Sequence, residues 1–132
     1  MSGQGVLVFL YGTLLDPAVL DAKAGVKGLH RQLRPARLSD YARVFLRGSP
    51  YPTLLPRPGA EVAGAVLRLP PAPLARLAAY EGPSYALRPV RVSTARGPLR
   101  ALAWMAPPWR ADPRPWDPPP RPPRRRAVGV RA

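Results

Sequence analysis

Val6-Leu-Val-Phe-Leu-Tyr-Gly-Thr-Leu-Leu-Asp-Pro17 carries three successive signals from which the fold is read outward. Val6 to Leu10 is an unbroken apolar run, β-branched and aromatic, which fits a strand buried on both faces better than one with a wet side. Asp16-Pro17 then starts a helix, with Asp16 as N-cap and proline at the first helical position. Leu15 and Leu20 stand where a hydrophobic staple closes, Lys23 lies in the last turn and Gly25 follows as the stop, so the helix is expected over about 17–24. Between strand and helix, Tyr11-Gly-Thr-Leu14 forms a short turn at a helix start. Such a turn presents unpaired backbone N–H groups suited to a carboxylate or a phosphate. It is not a phosphate-binding P-loop, because the second spaced glycine and the Lys-Ser/Thr pair are missing.

Further along, Tyr41 to Arg47 alternates with Ala42, Val44 and Leu46 on one face, the pattern of a half-exposed strand. Val62 to Leu69 reads as another, ended by Pro70-Pro71. Val90 and Val92 share a face of a third, Leu99 to Ala106 gives a fourth, and Ala95-Arg-Gly-Pro98 is a hairpin connection between these two. A second helix is expected over about Pro73 to Glu81. Several short strands with only two short helices define an α+β fold, not a doubly wound sheet, and a small sheet closing toward a barrel suits those strands. From Pro107 to Pro123, 9 of 17 residues are proline, and Arg124, Arg125 and Arg126 follow. Proline fixes φ and removes donors, so the folded domain is expected over 1–106 and a Pro/Arg-rich tail, extended or disordered, over 107–132.

Composition narrows the chemistry. A chain of 132 residues with 46% apolar content suits one globular domain. It has no cysteine and one histidine, His30, which removes disulfides, thiolate metal sites and a Cys nucleophile, and argues against a histidine-based metal site or a Ser-His-Asp triad. No metal and no cofactor are expected. What remains is chemistry by carboxylate, hydroxyl and backbone. The net charge of +14 invites a polyanion as partner. Yet 19 of the 21 basic residues are arginine in a chain also rich in Ala, Pro and Gly, which share G/C-rich codons. The charge therefore argues only weakly for nucleic acid, which is not expected as the main partner. Nor is a membrane expected: the most apolar run, Val6 to Leu15, is ten residues, against about 20 to span a bilayer. With no charged leader in Met1 to Gly5, a cytoplasmic protein is the default expectation.

Among only seven acidic residues, Glu81 stands apart. Leu74, Leu77 and Ala78 fall at i, i+3 and i+4, an inward stripe, and Glu81 follows at i+7 on the same face. It also sits in the last turn, at the negative end of the helix, with Gly82 as the stop. Desolvation and the helix dipole would both raise its pKa, and a poised carboxyl group is what general acid–base work needs. The competing reading has Glu81 snorkelling out at a frayed helix end or pairing with Arg76 or Arg88. Glu61 reads as a solvated loop residue, Asp40 as a turn residue and Asp21 as a surface-helix residue.

Taken in order, four segments resemble the γ-glutamylcyclotransferase superfamily, including its AIG2-like and γ-glutamylamine cyclotransferase branches. Val8-Phe-Leu-Tyr-Gly-Thr-Leu-Leu-Asp-Pro17 is similar to its N-terminal motif and Ser49-Pro-Tyr-Pro-Thr-Leu54 to its "pYPtL" loop. Val62-Ala-Gly-Ala-Val66 resembles the "v-x-G-x-l" strand after it, and Leu74-Ala-Arg-Leu-Ala-Ala-Tyr-Glu-Gly-Pro-Ser-Tyr85 the helix ending in "YEGxxY". The resemblance implies a small mixed β-barrel flanked by short helices, with a cavity at its mouth, and cleavage of a small γ-glutamyl substrate by its own α-amine, releasing 5-oxoproline and a free amine or amino acid. It implies Glu81 as the proton shuttle and the backbone of Tyr11, Gly12, Thr13 and Leu14 as the holder of the substrate α-carboxylate. Tyr85 would line the pocket and hydrogen-bond substrate, and Tyr51 would stand at the rim. Two departures are visible: Ala78 stands where many relatives have Asp, and the Pro/Arg tail replaces ordinary mixed sequence. The other reading is a catalytically idle member of the fold that offers its arginine-rich surface to nucleic acid or an acidic partner.

Overall fold

The computed structural model describes residues 5–117. Eight elements follow in order: β1 (Val6–Leu10), α1 (Pro17–Ala24), β2 (Arg34–Leu46), β3 (Pro52–Leu69), α2 (Pro71–Glu81), β4 (Ala86–Thr94), β5 (Gly97–Met105) and β6 (Ala111–Pro115). Single turns of 3-10 helix at Thr13–Leu15, Leu29–Gln32 and Pro108–Arg110 join them. The strands run in the order β3-β1-β5-β4-β2-β6, and β2 pairs again with β3, so five strands close into a ring and β6 extends from β2. All pairings are antiparallel except β1 with β5, where Val8 faces Leu102. This is the small mixed barrel with flanking helices that the sequence predicts.

β1 is apolar throughout because it separates two cores. Phe9 points into the barrel with Leu38, Leu54, Val66 and Val92, and Val8 and Leu10 face outward to meet Leu20, Leu69 and Leu77 beneath the two helices. α1 matches its expected bounds. The Asp16 carboxylate accepts from the Ala18 and Val19 amides at 2.9 and 3.3 Å, and Gly25 ends the helix at φ +72°. Asp21 does more than decorate that helix: it accepts from the backbone amides of Gly28 and His30 and meets His30 Nδ1 at 2.8 Å, fixing the turn that leads into β2.

The strands β2 and β3 exceed their expected lengths. Both bend at one irregularity, where Ser39 faces Glu61 but Tyr41 faces Pro56. Asp40 sits in the bulge at φ +66° and its carboxylate accepts from the Gly59 amide at 2.9 Å, so this residue turns a strand within its length. Glu61 is a strand residue, paired with Arg37 at 3.0 Å across an exposed surface. On one side of the bend the two strands complete the barrel, and on the other they form an arm that carries β6 and the Pro50–Pro52 loop.

The expected domain boundary after Ala106 moves outward. Phe45 and Leu46 pair with Asp112 and Ala111, and Trp116 is buried. Prolines at 113 and 115 are compatible with this because β6 is an edge strand, where a missing donor faces no partner. The rest of the expected tail, 118–132, lies outside the described residues. α2 begins at Pro71, two residues earlier than expected, since its prolines fall in the first turn, where the helix has no intrahelical use for their N–H.

Gly64 is required by close approach. A Cβ at this position in β3 would be driven into the Leu10 carbonyl and to 2.8 Å from the Phe9 ring. Gly64→Ala is therefore expected to cost about 1–3 kcal/mol, more if β1 cannot shift, measured as a lower urea midpoint.

Candidate active site

A cavity of about 140 Å³ opens where β1 gives way to α1, roofed by the end of α2. Its lining includes Tyr11, Gly12, Thr13, Leu14, Glu81 and Tyr85, so the structure gathers all the sequence-nominated site residues around one space. Tyr51 borders it at half exposure, the rim position expected for it. Tyr80, Pro52 and Trp104 also line the cavity, and none of these was singled out from sequence.

Each wall has a structural cause. α2 is held by Leu77, which is fully buried against the outer core. Tyr80 and Glu81 follow three and four residues later on the same side, so both face the cavity. Ala78 corrects the expected stripe. It lies about 100° round the helix from Leu77 and is exposed, so an Asp at this position would face solvent and not the cavity. Gly82 stops the helix at φ +84°, and the chain returns so that the Tyr85 hydroxyl donates to the Pro52 carbonyl at 2.7 Å. The Thr13 and Tyr80 hydroxyls meet at 3.0 Å and tie the first loop to α2.

The Tyr11–Leu14 segment differs in one respect from expectation. α1 does not start directly after it; a 3-10 turn intervenes, closed by the Leu15 amide to Gly12 O at 3.0 Å and the Asp16 amide to Thr13 O at 3.1 Å. Gly12, Thr13 and Leu14 border the cavity, and their amides precede those first donors. Gly12 is small by necessity, since a Cβ there would lie 2.8 Å from Pro52 Cγ.

Electrostatically the cavity is unusual for so basic a chain. Burial pushes the Glu81 carboxyl up to about 7. Among the described residues it enters no ion pair, so neither Arg76 nor Arg88 neutralises it. Burial, and then the Glu81 charge, hold the Tyr85 phenol well above its ordinary range. Tyr11 is raised as well, chiefly by burial, and its hydroxyl donates to the Trp104 carbonyl. At neutral pH the Tyr11 and Tyr85 phenols are thus protonated beside a carboxyl near the midpoint of its titration.

Behind these walls lies a brace formed by Arg43 and Trp116. Arg43 Nη1 donates to Tyr11 O at 2.9 Å, and its Nε donates to Trp116 O at 3.2 Å. The guanidinium stands over the Trp116 ring at 5.5 Å, and the indole donates to Pro50 O at 2.8 Å. One pair of side chains therefore ties the loop that begins at Tyr11 to the loop that carries Tyr51 and Pro52. One arginine among nineteen gives no signal in the sequence; a tryptophan within a proline-rich stretch is the clue that was available.

Comparison with known proteins agrees with this architecture. A protein of Arabidopsis thaliana, known from its solution structure, superposes with a TM-score of 0.71 at 28% identity, covering 88% of this chain and 72% of that one. A structure described as gamma-glutamyl cyclotransferase matches with a TM-score of 0.67 at 20% identity, over 83% and 69% of the two chains, a likeness of fold. An uncharacterized human protein gives 0.63 at 22% identity, over 77% and 66%, again a likeness of fold. No curated protein matches the sequence at a significant level. Residues 8–121 match the family model for gamma-glutamyl cyclotransferase, AIG2-like, and the chain belongs to that family.

Proposed function

We propose that this protein cleaves a γ-glutamyl amide by intramolecular aminolysis, releasing 5-oxoproline and a free amine or amino acid. The observation that carries the reading is a half-buried carboxyl group, Glu81, in no ion pair among the described residues, sharing one small cavity with Gly12, Thr13 and Leu14, whose amides precede the first donors of their turn. The α-carboxylate of the substrate sits on those amides, which places its α-ammonium between Glu81 and Tyr85. The Tyr85 proton is committed to Pro52 O, so the phenol presents its oxygen as an acceptor, suited to the ammonium.

Glu81 takes a proton from the α-ammonium, and the freed amine attacks the γ-carbonyl carbon to close a five-membered ring. The ring nitrogen then gives up its second proton, the bond from that carbon to the leaving nitrogen breaks, and the leaving nitrogen takes up both protons by way of Glu81 and departs as an ammonium. A pKa near 7 suits both transfers, because neither proton is held too tightly or too loosely. The nucleophile belongs to the substrate, so the enzyme's main task is to hold a near-attack geometry in a dry cavity, where effective molarity supplies much of the rate.

Incubation with a panel of γ-glutamyl amino acids and γ-glutamylamines, with 5-oxoproline as the readout, tests the reading. The pH profile provides a second check. Glu81 must be ionised to accept the first proton, so kcat/KM is expected to rise with pH through an apparent pKa of about 7. A profile flat from pH 5 to pH 8 contradicts Glu81 as the base.

A further inference from the structure

An apolar cavity of about 150 Å³ holds a benzene-sized ligand. The cavity here, of about 140 Å³, is therefore filled by the γ-glutamyl group alone, and the leaving group must lie at the mouth. Two exposed aromatic side chains stand on segments that meet at the Pro52 end of the cavity. Tyr51 is 50% exposed and Trp109 is 73% exposed, two of the three large hydrophobic side chains exposed among the described residues. Trp109 lies on the 3-10 turn Pro108–Arg110, which packs against β3, the strand that begins at Pro52 of the cavity lining. Hydrogen bonds anchor the chain around that turn: the Ala106 amide, two residues before it, donates at 2.9 Å to Oγ1 of Thr53, the neighbour of Pro52, and the Arg47 amide donates to Arg110 O at 2.8 Å. The neighbouring Leu46 amide donates to Tyr51 O at 2.8 Å, so adjacent residues of β2 hold Tyr51 of the lining and Arg110 of the turn.

Arg110 supplies the charge. Its guanidinium stands over the Trp109 ring at 5.7 Å, and it is close enough to Tyr85 for its charge to oppose the upward push on that phenol. Among the described residues it enters no ion pair, whereas the nearby Asp112 is taken by Arg114 at 3.1 Å. The site therefore has an acidic group inside and a cation without a partner outside. That polarity matches a substrate with an ammonium at the cyclising end and a carboxylate on the leaving group.

We infer that Arg110, with Trp109 and Tyr51, selects γ-glutamyl substrates whose leaving group is an amino acid with a free carboxylate and an aromatic or long apolar side chain, in preference to simple amines. The inference rests on the cyclotransfer reading and extends it to a substrate class. Arg110 binds the carboxylate and the two rings cover the apolar side chain, interactions that act on the half of the substrate outside the cavity.

Three substrates separate these contacts: γ-glutamyl-phenylalanine, γ-glutamyl-phenethylamine, which lacks only the carboxylate, and γ-glutamyl-glycine, which lacks the ring. Wild-type kcat/KM is expected to favour the first over the second by about fivefold, the size of a partly exposed ion pair, and over the third by a similar factor. In Arg110→Gln the ratio of the first to the second is expected to fall to about one. A general loss of folded enzyme would leave that ratio unmoved. In Trp109→Ala the preference over the glycine substrate is expected to shrink. A wild-type ratio near one, or a ratio that survives Arg110→Gln, overturns the inference. Calorimetric binding of the same three compounds to Glu81→Gln protein separates recognition from chemistry. A binding preference without any 5-oxoproline from the wild type supports the mouth assignment and overturns cyclotransfer, and no preference in either measurement overturns the mouth assignment.

Discussion

Glu81→Gln is expected to lower kcat/KM for any accepted γ-glutamyl substrate by about 10²–10⁴-fold while making the protein more stable at alkaline pH. The two effects share one cause. In the unfolded chain the carboxyl titrates near 4.5, and in the fold near 7 because burial disfavours its charged form. The folded pKa is the higher one, so the contribution of the neutral carboxyl is fully present below about pH 4.5 and is lost as the pH rises through about 7. Above that range the native protein holds an ionised carboxylate where its environment favours a neutral group. Glutamine is neutral throughout. The stability difference between variant and wild type should therefore be small near pH 4 and grow to about 1–3 kcal/mol by pH 8, a range discounted for the partial exposure of Glu81. Urea titrations of both proteins at the two pH values measure it. A variant less stable than wild type at pH 8 would show that Glu81 is compensated in a way the structure does not contain.

Loss of Trp116 is the other large effect. Replacing this buried ring by alanine removes its packing and the cation–π contact of Arg43, and leaves Pro50 O without its donor. A cost of about 3–5 kcal/mol is expected. A chain ending at Ala106 loses β6 as well and should lose at least as much. Trp116→Phe distinguishes positioning from bulk stability: it keeps an aromatic ring and forfeits the indole hydrogen bond, at about 1 kcal/mol. If the brace sets the rim, this variant shows a raised KM with a largely retained kcat. An unchanged KM in a folded Trp116→Phe protein would mean that Tyr51 and Pro52 hold their places without it.

How legible these features were depends on how local their causes are. β1 and α1 were readable because every local rule agreed there: an apolar run, an Asp cap, a proline at the first position and a glycine stop. Glu81 was readable for the opposite reason, since a carboxylate on the inward face of a short helix breaks the local pattern. Its neighbour Ala78 was misplaced because a stripe of i, i+3 and i+4 leaves its centre undefined by one residue, and packing of Leu77 chose it. The first half of β3 was missed because Pro52, Pro56 and Pro58 read as loop; Pro52 opens the strand opposite Phe45, and Pro56 and Pro58 sit at a bend whose register only the partner strand fixes. β6 was missed for a related reason. Proline content correctly argues against a central strand, but the edge of a sheet tolerates it. Arg43 and Trp116 meet across more than seventy positions of chain, and no periodicity announces such a contact.

The identity of the product tests the central claim most directly. Wild-type protein incubated with a turned-over γ-glutamyl substrate in isotopically labelled water is expected to yield 5-oxoproline free of solvent oxygen, with release of the amine in equal amount. In cyclotransfer the substrate's own nitrogen attacks, so solvent oxygen does not enter the product. Glutamate carrying the label would mean that water is the nucleophile, and would contradict the assignment of Glu81 as a shuttle for the protons of the α-amine.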